Sequence, residues 1–386
     1  MVVKLPSYLG DTTDVLNLVN GFVTEKDFIL VTCDIQSLYT CIPHHAGIEA
    51  LNHYLNTRPP DVLPPNVFLK TLTEIILSKN YFQYAGSYFL QKQRVSMGSL
   101  FAPSYACLVM GFWEEEFIHN SMTNPFVSKI ALWKRYIDDI FFIWTGTTDE
   151  LIEFVGYINS TTQYLRFTVE QSNERVNFLD LTIYKKMRGG LDSTIYQKPL
   201  SRNTLLRADS HHPKQLIKNI PTGQFLHLKR NCSTDEEFEL KADEMTESFR
   251  SKGYKEHDIR AAYQRARRTD RARLLQKTQR PSTTPRLYFS TEFSPIAGDI
   301  KNIIKKHWHI LQSDPALTQI CAQPPLISFH KARSLKDRLV HSAMSAPQRS
   351  TWLPAPPTGF YRCGHCSHCS NSSDSKQFCH PHSGKK

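Results

Sequence analysis

The chain has 386 residues, of which 40% are hydrophobic and 11% are aromatic, enough to build the cores of two or three domains. No run of about 18 apolar residues and no charged-then-apolar leader is present, which excludes a membrane-spanning helix and argues against secretion. The formal net charge of +11 indicates a polyanionic partner, most commonly nucleic acid, with an anionic membrane surface as the lesser alternative. We therefore expect an intracellular protein, nuclear or cytoplasmic.

The first half of the chain alternates apolar strands with amphipathic helices. A short helix capped by Asp11 or Thr12 precedes a buried strand, FILVTCDIQSLY, which carries Asp34. The elements predicted after it are helices at 44–56 and 64–80, a Tyr- and Phe-rich hairpin at 81–95, a buried helix opened by Gly and Pro at 97–118, a strand, acidic turn and strand at 131–146, and a hairpin at 165–186.

Beyond residue 198 the sequence becomes helical and basic, and most of the positive excess lies there. Ser233 and Glu236 predict a capping box for a helix that ends at Gly253. A second helix is predicted to begin at His257 or Asp258 and to run to residue 275.

Three acids stand at the ends of predicted strands. Asp34 closes one strand, and Asp138 and Asp139 occupy the turn of YIDDIFFIW, before a run of bulky apolar residues. In one antiparallel sheet the three carboxylates could meet at an edge, where they repel each other unless a divalent metal neutralises them. Mg²⁺ prefers such oxygens together with substrate phosphates. The alternative is that the acid pair only makes a turn, which Asp favours.

Several motifs give the chain a family resemblance. YIDD in an apolar hairpin resembles motif C of reverse transcriptases, DIQSLY resembles motif A, and MGSLFAP after QKQRVS resembles motif B. The wider phrasing, such as VTCDIQSLYTCIPHHAGIEAL, NFLDLTIYKK and SHHPKQLIKNIPTGQFLHLKRNC, resembles the reverse transcriptases of Penelope-like retroelements nearly from end to end. The resemblance implies an RNA-directed DNA polymerase whose partners are an RNA template, a DNA primer and deoxynucleoside triphosphates.

The resemblance also implies which residues hold the metal. Asp34 and Asp138 would be the main ligands of two Mg²⁺ ions, with Mn²⁺ as a substitute. Asp139 would support them, and the carbonyl of Ile35 would add one oxygen.

The same resemblance implies a nucleotide site. Tyr39 would lie below the sugar, where a bulky ring clashes with a 2′-hydroxyl; the alternative is a packed strand aromatic. Gly98, Ala102 and Pro103 of motif B would let the backbone approach the incoming nucleotide, because Gly permits close approach and Pro stiffens the turn.

The expected fold class is α+β. It consists of a right-hand polymerase palm, an antiparallel sheet with packed helices, followed by a helical thumb and a small Cys-rich zinc linker. The expected divisions are a fingers remnant with an initial helix at 1–27, the palm at 28–198, the basic thumb at 199–277, a mixed connector at 286–345 and a zinc-knuckle-like linker at 359–386. Compared with the family, we expect a truncated chain with few fingers residues and no GIY-YIG endonuclease.

The basic thumb is the expected nucleic-acid interface. Arginines are spread almost all round the helix predicted at 258–275, so they cannot all be buried, and a surface that follows phosphates would use them. A solvated charged helix is the alternative. The residues expected to bind nucleic acid are Lys198, Arg260, Arg265, Arg267, Arg268 and Arg271.

Four cysteines crowd the last 24 residues. Cys363, Cys366 and Cys369 are separated by two residues each, and Cys379 follows beside histidines. Tetrahedral zinc needs four such ligands, so these cysteines are the simplest Zn²⁺ set, with a histidine able to replace one. Free or redox-active thiols are the alternative.

The sequence is compatible with two functions. The first is a reverse transcriptase of a retroelement. The second is a catalytically silent relic of the same fold that binds nucleic acid. A zinc-dependent DNA-binding regulator would explain the cysteines but would leave the acids without a role, and the sequence does not determine the oligomeric state.

Overall fold

A computed structural model of the chain describes residues 1–339, apart from 60, 85–86, 187–188, 199–202, 278–286, 295–296, 318–319, 332–333 and 336–338. Its helices are α1 (Thr12–Gly21), α2 (Leu38–Cys41), α3 (His44–Asn56), α4 (Asn66–Ser78), α5 (Ala102–Phe117), α6 (Thr148–Ser160), α7 (Lys214–Asn231), α8 (Asp235–Ser251), α9 (Glu256–Arg268), α10 (Arg271–Leu275) and α11 (Ala297–Gln312). Its strands are β1 (Ile29–Ile35), β2 (Tyr81–Tyr84), β3 (Ser87–Leu90), β4 (Ile130–Tyr136), β5 (Asp139–Trp144), β6 (Phe167–Ser172), β7 (Arg175–Phe178), β8 (Leu181–Lys185), β9 (Leu191–Ile195), β10 (Tyr288–Glu292) and β11 (Leu326–His330). This mixture of helices and antiparallel sheet confirms the expected α+β class.

A four-stranded antiparallel sheet with the order β4-β5-β1-β6 is central to the fold. Both of its faces are apolar because both are covered. Helices α3, α5 and α6 pack on one face, around Val31 and Phe142. Helix α1 and the three-stranded sheet β7-β8-β9 pack on the other, around Leu30 and Phe141. Successive side chains of a strand point to opposite faces of the sheet, and here both faces are buried. This explains why the sequences of β1 and β5 are continuous apolar runs.

The segment 165–186, predicted as one hairpin, contains strands that belong to two different sheets. The prediction of a single hairpin was therefore wrong. β6 pairs with β1 at the edge of the central sheet, whereas β7 pairs with β8. An alternating pattern specifies strands but not their partners.

Helix boundaries differ from expectation at three places. α6 was not predicted, although Thr147 and Glu150 form its capping box. α8 is capped by Thr234, whose side chain accepts from the Glu237 amide, one residue later than the predicted Ser233 box. The helix predicted up to 275 ends at Arg268, and α10 follows after a break.

Helices α7, α8 and α9 share a separate core of buried residues that includes Phe225, Phe238 and Phe249. Gly253, with φ of +80°, ends the α8 segment as expected. In the region predicted as a mixed connector, β10 and β11 pair in parallel, and α11 lies between them in the chain.

Residues 1–80 and 91–333 form one compact unit, and the β2–β3 hairpin belongs to a second. The predicted domain boundaries stay predictions. Among the described helices, none is both long and apolar enough to cross a membrane. The predicted zinc ligands Cys363, Cys366, Cys369 and Cys379 lie outside the described residues.

Candidate active site

Asp34 and Asp139 lie directly opposite each other on the neighbouring strands β1 and β5. Alternation along β1 puts Leu30 and Asp34 on the same face, and alternation along β5 does the same for Phe141 and Asp139. Leu30 and Phe141 are covered by α1 and the second sheet, whereas Asp34 is exposed. The two acids are therefore the open, polar end of an otherwise buried face, with Cβ atoms about 5 Å apart for such a pair.

Asp138 follows in the two-residue turn that joins β4 to β5. Ile137, the other turn residue, has φ of +56°, a left-handed conformation that costs a β-branched residue about 1–3 kcal/mol. Two hydrogen bonds hold this turn: the Ile35 amide donates to the Asp138 carbonyl at 3.2 Å, and Arg135 Nη1 donates to the Ile137 carbonyl at 3.1 Å. The first of these ties the acidic turn to the strand that carries Asp34.

A buried ion pair supports the turn from beneath. Arg135 and Glu114 are 1% and 2% exposed, and two guanidinium nitrogens contact the two carboxylate oxygens at 2.7 and 3.1 Å. Trp133 Nε1 and the Ser7 hydroxyl also donate to Glu114, and the Cys107 carbonyl accepts from Arg135. Every charged group is thus paired, which makes its burial tolerable.

Two acids of the site, Asp34 and Asp139, have raised pKa values. Burial raises the pKa of Asp139 to about 6, and the charges of Asp138 and Asp34 add to that effect. Burial and the Asp138 charge also raise the pKa of Asp34, with a backbone hydrogen bond from Ile35 opposing them. Among the ion pairs of the described residues, none includes these carboxylates. The site therefore concentrates negative charge that no cation of the described residues neutralises in an ion pair.

Asp34, Asp138 and Asp139 lie together at one end of the paired strands β1 and β5, as the sequence predicts. Within the ranges that the structure describes, no three His, Cys, Asp or Glu side chains are arranged to hold one ion. The donor set nevertheless suits a hard divalent cation, because it consists of carboxylate oxygens. Burial, together with the neighbouring negative charges, raises the pKa of Asp34 and of Asp139, and a bound cation would offset both effects.

Tyr39 lies beside the acidic turn. It belongs to α2, is half-buried, and its carbonyl accepts a hydrogen bond from the Val95 amide at 3.0 Å. Burial raises the pKa of its phenol, and the charge of Asp138 raises it further. The structure thus brings the predicted nucleotide residue next to the predicted metal ligands.

Motif B opens α5. Ala102 is the first residue of the helix and is fully buried in the core, and Pro103 follows in its first turn, where a missing amide is tolerated. Gly98 is exposed in the preceding turn, and a Cβ placed there would meet no atom within 4 Å. The packing of the protein itself therefore does not require glycine at this position.

A cleft of about 390 Å³ opens beside Asp34 and Asp139. Its far wall includes Leu179, in the turn of the β7–β8 hairpin. The neighbouring Asp180 is held by Thr12 Oγ1 at 2.7 Å and by His227 Nε2 at 3.1 Å, and these contacts lower its pKa to about 2. Asp180 therefore fastens the hairpin to α1 and α7 and is not one of the clustered acids.

The predicted nucleic-acid-binding residues are distributed unevenly. Arg260, Arg265, Arg267 and Arg268 are exposed on α9, and Lys198 is exposed after β9. Arg271 is half-buried, and it donates to the Arg230 carbonyl and to Asn20, both at 3.0 Å. Most of these side chains are free to meet a ligand, whereas Arg271 also has a structural role.

Comparisons with known proteins give one family match and several structural similarities. The Animal helix-turn-helix domain family matches residues 204–264, which include α7, α8 and part of α9. No curated protein sequence matches the chain.

Three solved polymerase structures are similar in backbone. Telomerase from Candida albicans in complex with a TWJ fragment of telomeric RNA has 10% identity and a TM-score of 0.45, covering 82% of this chain and 55% of that one. Apo telomerase from Candida tropicalis has 13% identity and a TM-score of 0.43, covering 69% and 49%. The Sicinivirus 3Dpol RNA-dependent RNA polymerase has 13% identity and a TM-score of 0.42, covering 69% and 56%. The chain spans about half the length of these proteins.

Sequence reasoning missed the support beneath the acids. Arg135 stands immediately before the YIDD motif and Glu114 lies in a buried helix, so each charge in an apolar context was a visible signal. Their pairing was not, because 21 residues separate them and only the packing of α5 on the sheet brings them together.

Proposed function

We propose that the chain is an RNA-directed DNA polymerase of the kind found in Penelope-like retroelements, carrying out nucleotidyl transfer at the edge of the central sheet. The observation that carries the proposal is the direct opposition of Asp34 and Asp139, with Asp138 in the adjoining turn and Tyr39 beside it. A turn that only connected β4 to β5 would not need an acid directly opposite Asp34 and a second acid beside it, because the like charges repel each other.

In this proposal Asp34, Asp138 and Asp139 hold Mg²⁺. The Ile35 carbonyl, which the resemblance implies as a further ligand, belongs to a residue that is only 1% exposed. When bound, divalent cations lower the pKa of an attacking hydroxyl and neutralise the charge on the leaving pyrophosphate. The chain's own contribution is placement. The hydrogen bond from Ile35 to the Asp138 carbonyl and the buried Arg135–Glu114 pair fix the acidic turn relative to β1 before substrate arrives.

The remaining residues are assigned by the resemblance and by position. Tyr39 packs below the sugar and discriminates against a 2′-hydroxyl, while Gly98 and Pro103 line the nucleotide side. Ala102, which the sequence also predicts at this site, is fully buried in the core and can only position the start of α5. The β7–β8 turn at the cleft wall positions the primer end. The exposed arginines of α9 hold the template–primer duplex through its phosphates.

Primer extension on an RNA template tests the proposal. Wild-type chain with Mg²⁺ should incorporate deoxynucleotides, and Asp138→Asn should lower the rate at least about 100-fold, the scale of losing one preorganised charge-stabilising group. Asp61→Asn, which removes an exposed acid that does not line the cleft beside Asp34 and Asp139, is the matched control and should leave the rate unchanged. Equal incorporation by wild type and Asp138→Asn would refute the proposal.

A second candidate is a nucleic-acid-binding protein without catalysis. The helix-turn-helix match favours it. α8 and α9 are joined by four residues that include Gly253 in the left-handed region, and turns of this length in such motifs often contain glycine. It predicts salt-sensitive duplex binding together with no incorporation by wild type, even with Mg²⁺ or Mn²⁺.

A further inference from the structure

A basic cleft of about 380 Å³ lies where α7 ends, α8 begins and α9 passes into α10. It is separate from the cleft beside the catalytic acids, and the two share no lining residue. Cations outnumber carboxylates in its wall by four to two: Lys229, Arg267, Arg268 and Arg271 against Asp235 and Asp270.

The two carboxylates of this cleft already have partners. Asp235 pairs with Lys229, and the carboxylate of Asp270 caps α10 by accepting from the Ala272 amide at 3.0 Å. Arg267 is partly satisfied outside the cleft by Glu239 at 3.3 Å. The acids therefore do not neutralise the other two arginines.

Two guanidinium groups keep unused donors. Arg268 is exposed and forms no hydrogen bond or ion pair with any described residue. Arg271 uses Nε and Nη1 to hold the Arg230 carbonyl and Asn20, but its Nη2 is buried without a partner in the described part of the chain. An unpaired buried donor on a cation is costly, and an anionic acceptor is the group that would relieve it.

We propose that this cleft binds a phosphate group, and that in a complex with nucleic acid the group is one backbone phosphodiester. Arginine forks match phosphate oxygens in a bidentate manner, and Arg271 is held in place by its bonds to Arg230 and Asn20 before any ligand binds. The phosphate site is inferred from the arginine contacts of the cleft alone. Only the assignment of the phosphate to nucleic acid rests on the proposed function.

The first test uses inorganic phosphate as the probe. The thermal unfolding of the full chain is compared in sodium phosphate and in sodium chloride at equal ionic strength, for wild type, Arg268→Gln and Arg273→Gln. Arg273 is exposed on α10 and does not line the cleft, so its variant is the matched control. We expect phosphate to raise the Tm of wild type and Arg273→Gln, and Arg268→Gln to lose at least half of that shift.

Equal phosphate shifts in the three proteins would overturn the site. A shift produced by polyglutamate but not by phosphate would overturn it too, because the ligand would then be an acidic peptide.

The second test identifies the source of the phosphate. The affinity for an RNA–DNA hybrid is measured against salt concentration, and Arg268→Gln should lower the slope of log K against log salt by about 0.9, the value for one lost phosphate contact. An unchanged slope together with a retained phosphate shift would overturn the nucleic-acid origin and leave free phosphate as the ligand. Failure of primer extension would refute the polymerase proposal without affecting the phosphate shift, so the two outcomes are distinguishable.

Discussion

At the level of single residues, Asp139 is the acid of the candidate site whose ionisation the fold opposes most clearly. Its pKa of about 6 in the folded chain lies above the 3.8 of an ordinary Asp, because burial and two neighbouring carboxylates disfavour its charge. The stabilisation linked to this group is therefore complete below pH about 4 and is lost as the pH rises through about 6.

Replacing this acid should stabilise the protein at alkaline pH. In metal-free buffer at pH about 8, Asp139→Asn is expected to raise the free energy of unfolding by about 1–3 kcal/mol, because the amide needs no ionisation in the crowded site. The gain should disappear below pH about 4. Urea unfolding across this pH range measures it, with Asp61→Asn as the control; a variant no more stable than wild type at pH 8 would contradict the account.

The sequence was informative about which residues converge. Asp34 lies near the end of one apolar strand and Asp139 at the start of another, so the sequence predicts that they could meet if both strands joined one antiparallel sheet, and in the structure they lie opposite each other. The sequence could not show that Ile137 adopts φ of +56°, because Ile is a poor choice for that conformation and the bonds that hold it come from Ile35 and Arg135. The strain at the turn is a property of the assembled site.

At the level of elements, the pair of Arg135 on β4 with Glu114 on α5 joins the central sheet to its main helix. Removing one partner leaves a buried, uncompensated charge. Arg135→Met should therefore lower the free energy of unfolding by about 3–5 kcal/mol, and adding Glu114→Gln should restore at least about 1 kcal/mol.

Lys134→Met is the control for this pair, because Lys134 is the neighbouring residue of β4 and its ammonium donates to the backbone carbonyl of Pro6, with no buried charge as partner among the described residues. It should cost less than about 1 kcal/mol. Urea denaturation curves compare the variants. Equal costs for Arg135→Met and Lys134→Met would show that the buried pair does not stabilise the junction.

A smaller effect is expected at the start of α6. The Thr147 hydroxyl accepts from the Glu150 amide, so Thr147→Ala should cost about 0.5–2 kcal/mol of unfolding free energy. The exposed neighbour Thr148, which does not cap the helix, should tolerate the same change within about 0.5 kcal/mol. Matched thermal or urea unfolding of the two variants tests the difference, and a reversed order would place the cap elsewhere.

Helices whose apolar residues recur regularly were predictable from the sequence, whereas the pairing of strands with one another was not. The sequence located α3 and α4 because their apolar residues recur at helical spacing. It did not separate β6 from β7, because period-two alternation is the same whichever sheet a strand joins. The break between α9 and α10 was missed because Arg-rich sequence favours a helix on both sides of Asp270.

At the level of the whole molecule, the net charge of +11 should act through the exposed arginines of α9. The double variant Arg260→Gln/Arg265→Gln should weaken binding of an RNA–DNA hybrid and lower the slope of log K against log salt by about 2, if each side chain neutralises one phosphate. Fluorescence anisotropy across a salt series measures this slope.

Arg250→Gln is the control for the charge effect, because Arg250 is already paired with Glu247 on its own helix, α8, and with Glu256 on α9. It should change the slope by less than about half a unit. If the double variant bound the hybrid as tightly as wild type at every salt concentration, α9 would not be part of the nucleic-acid interface.

Mn²⁺ binding followed by electron paramagnetic resonance tests most directly whether Asp34, Asp138 and Asp139 together bind a divalent cation. Wild type and Asp61→Asn should bind Mn²⁺ alike, and Asp34→Asn and Asp138→Asn should each weaken that binding at least about tenfold. Mg²⁺ should displace the bound Mn²⁺. Equal Mn²⁺ affinity in all four proteins would contradict the account.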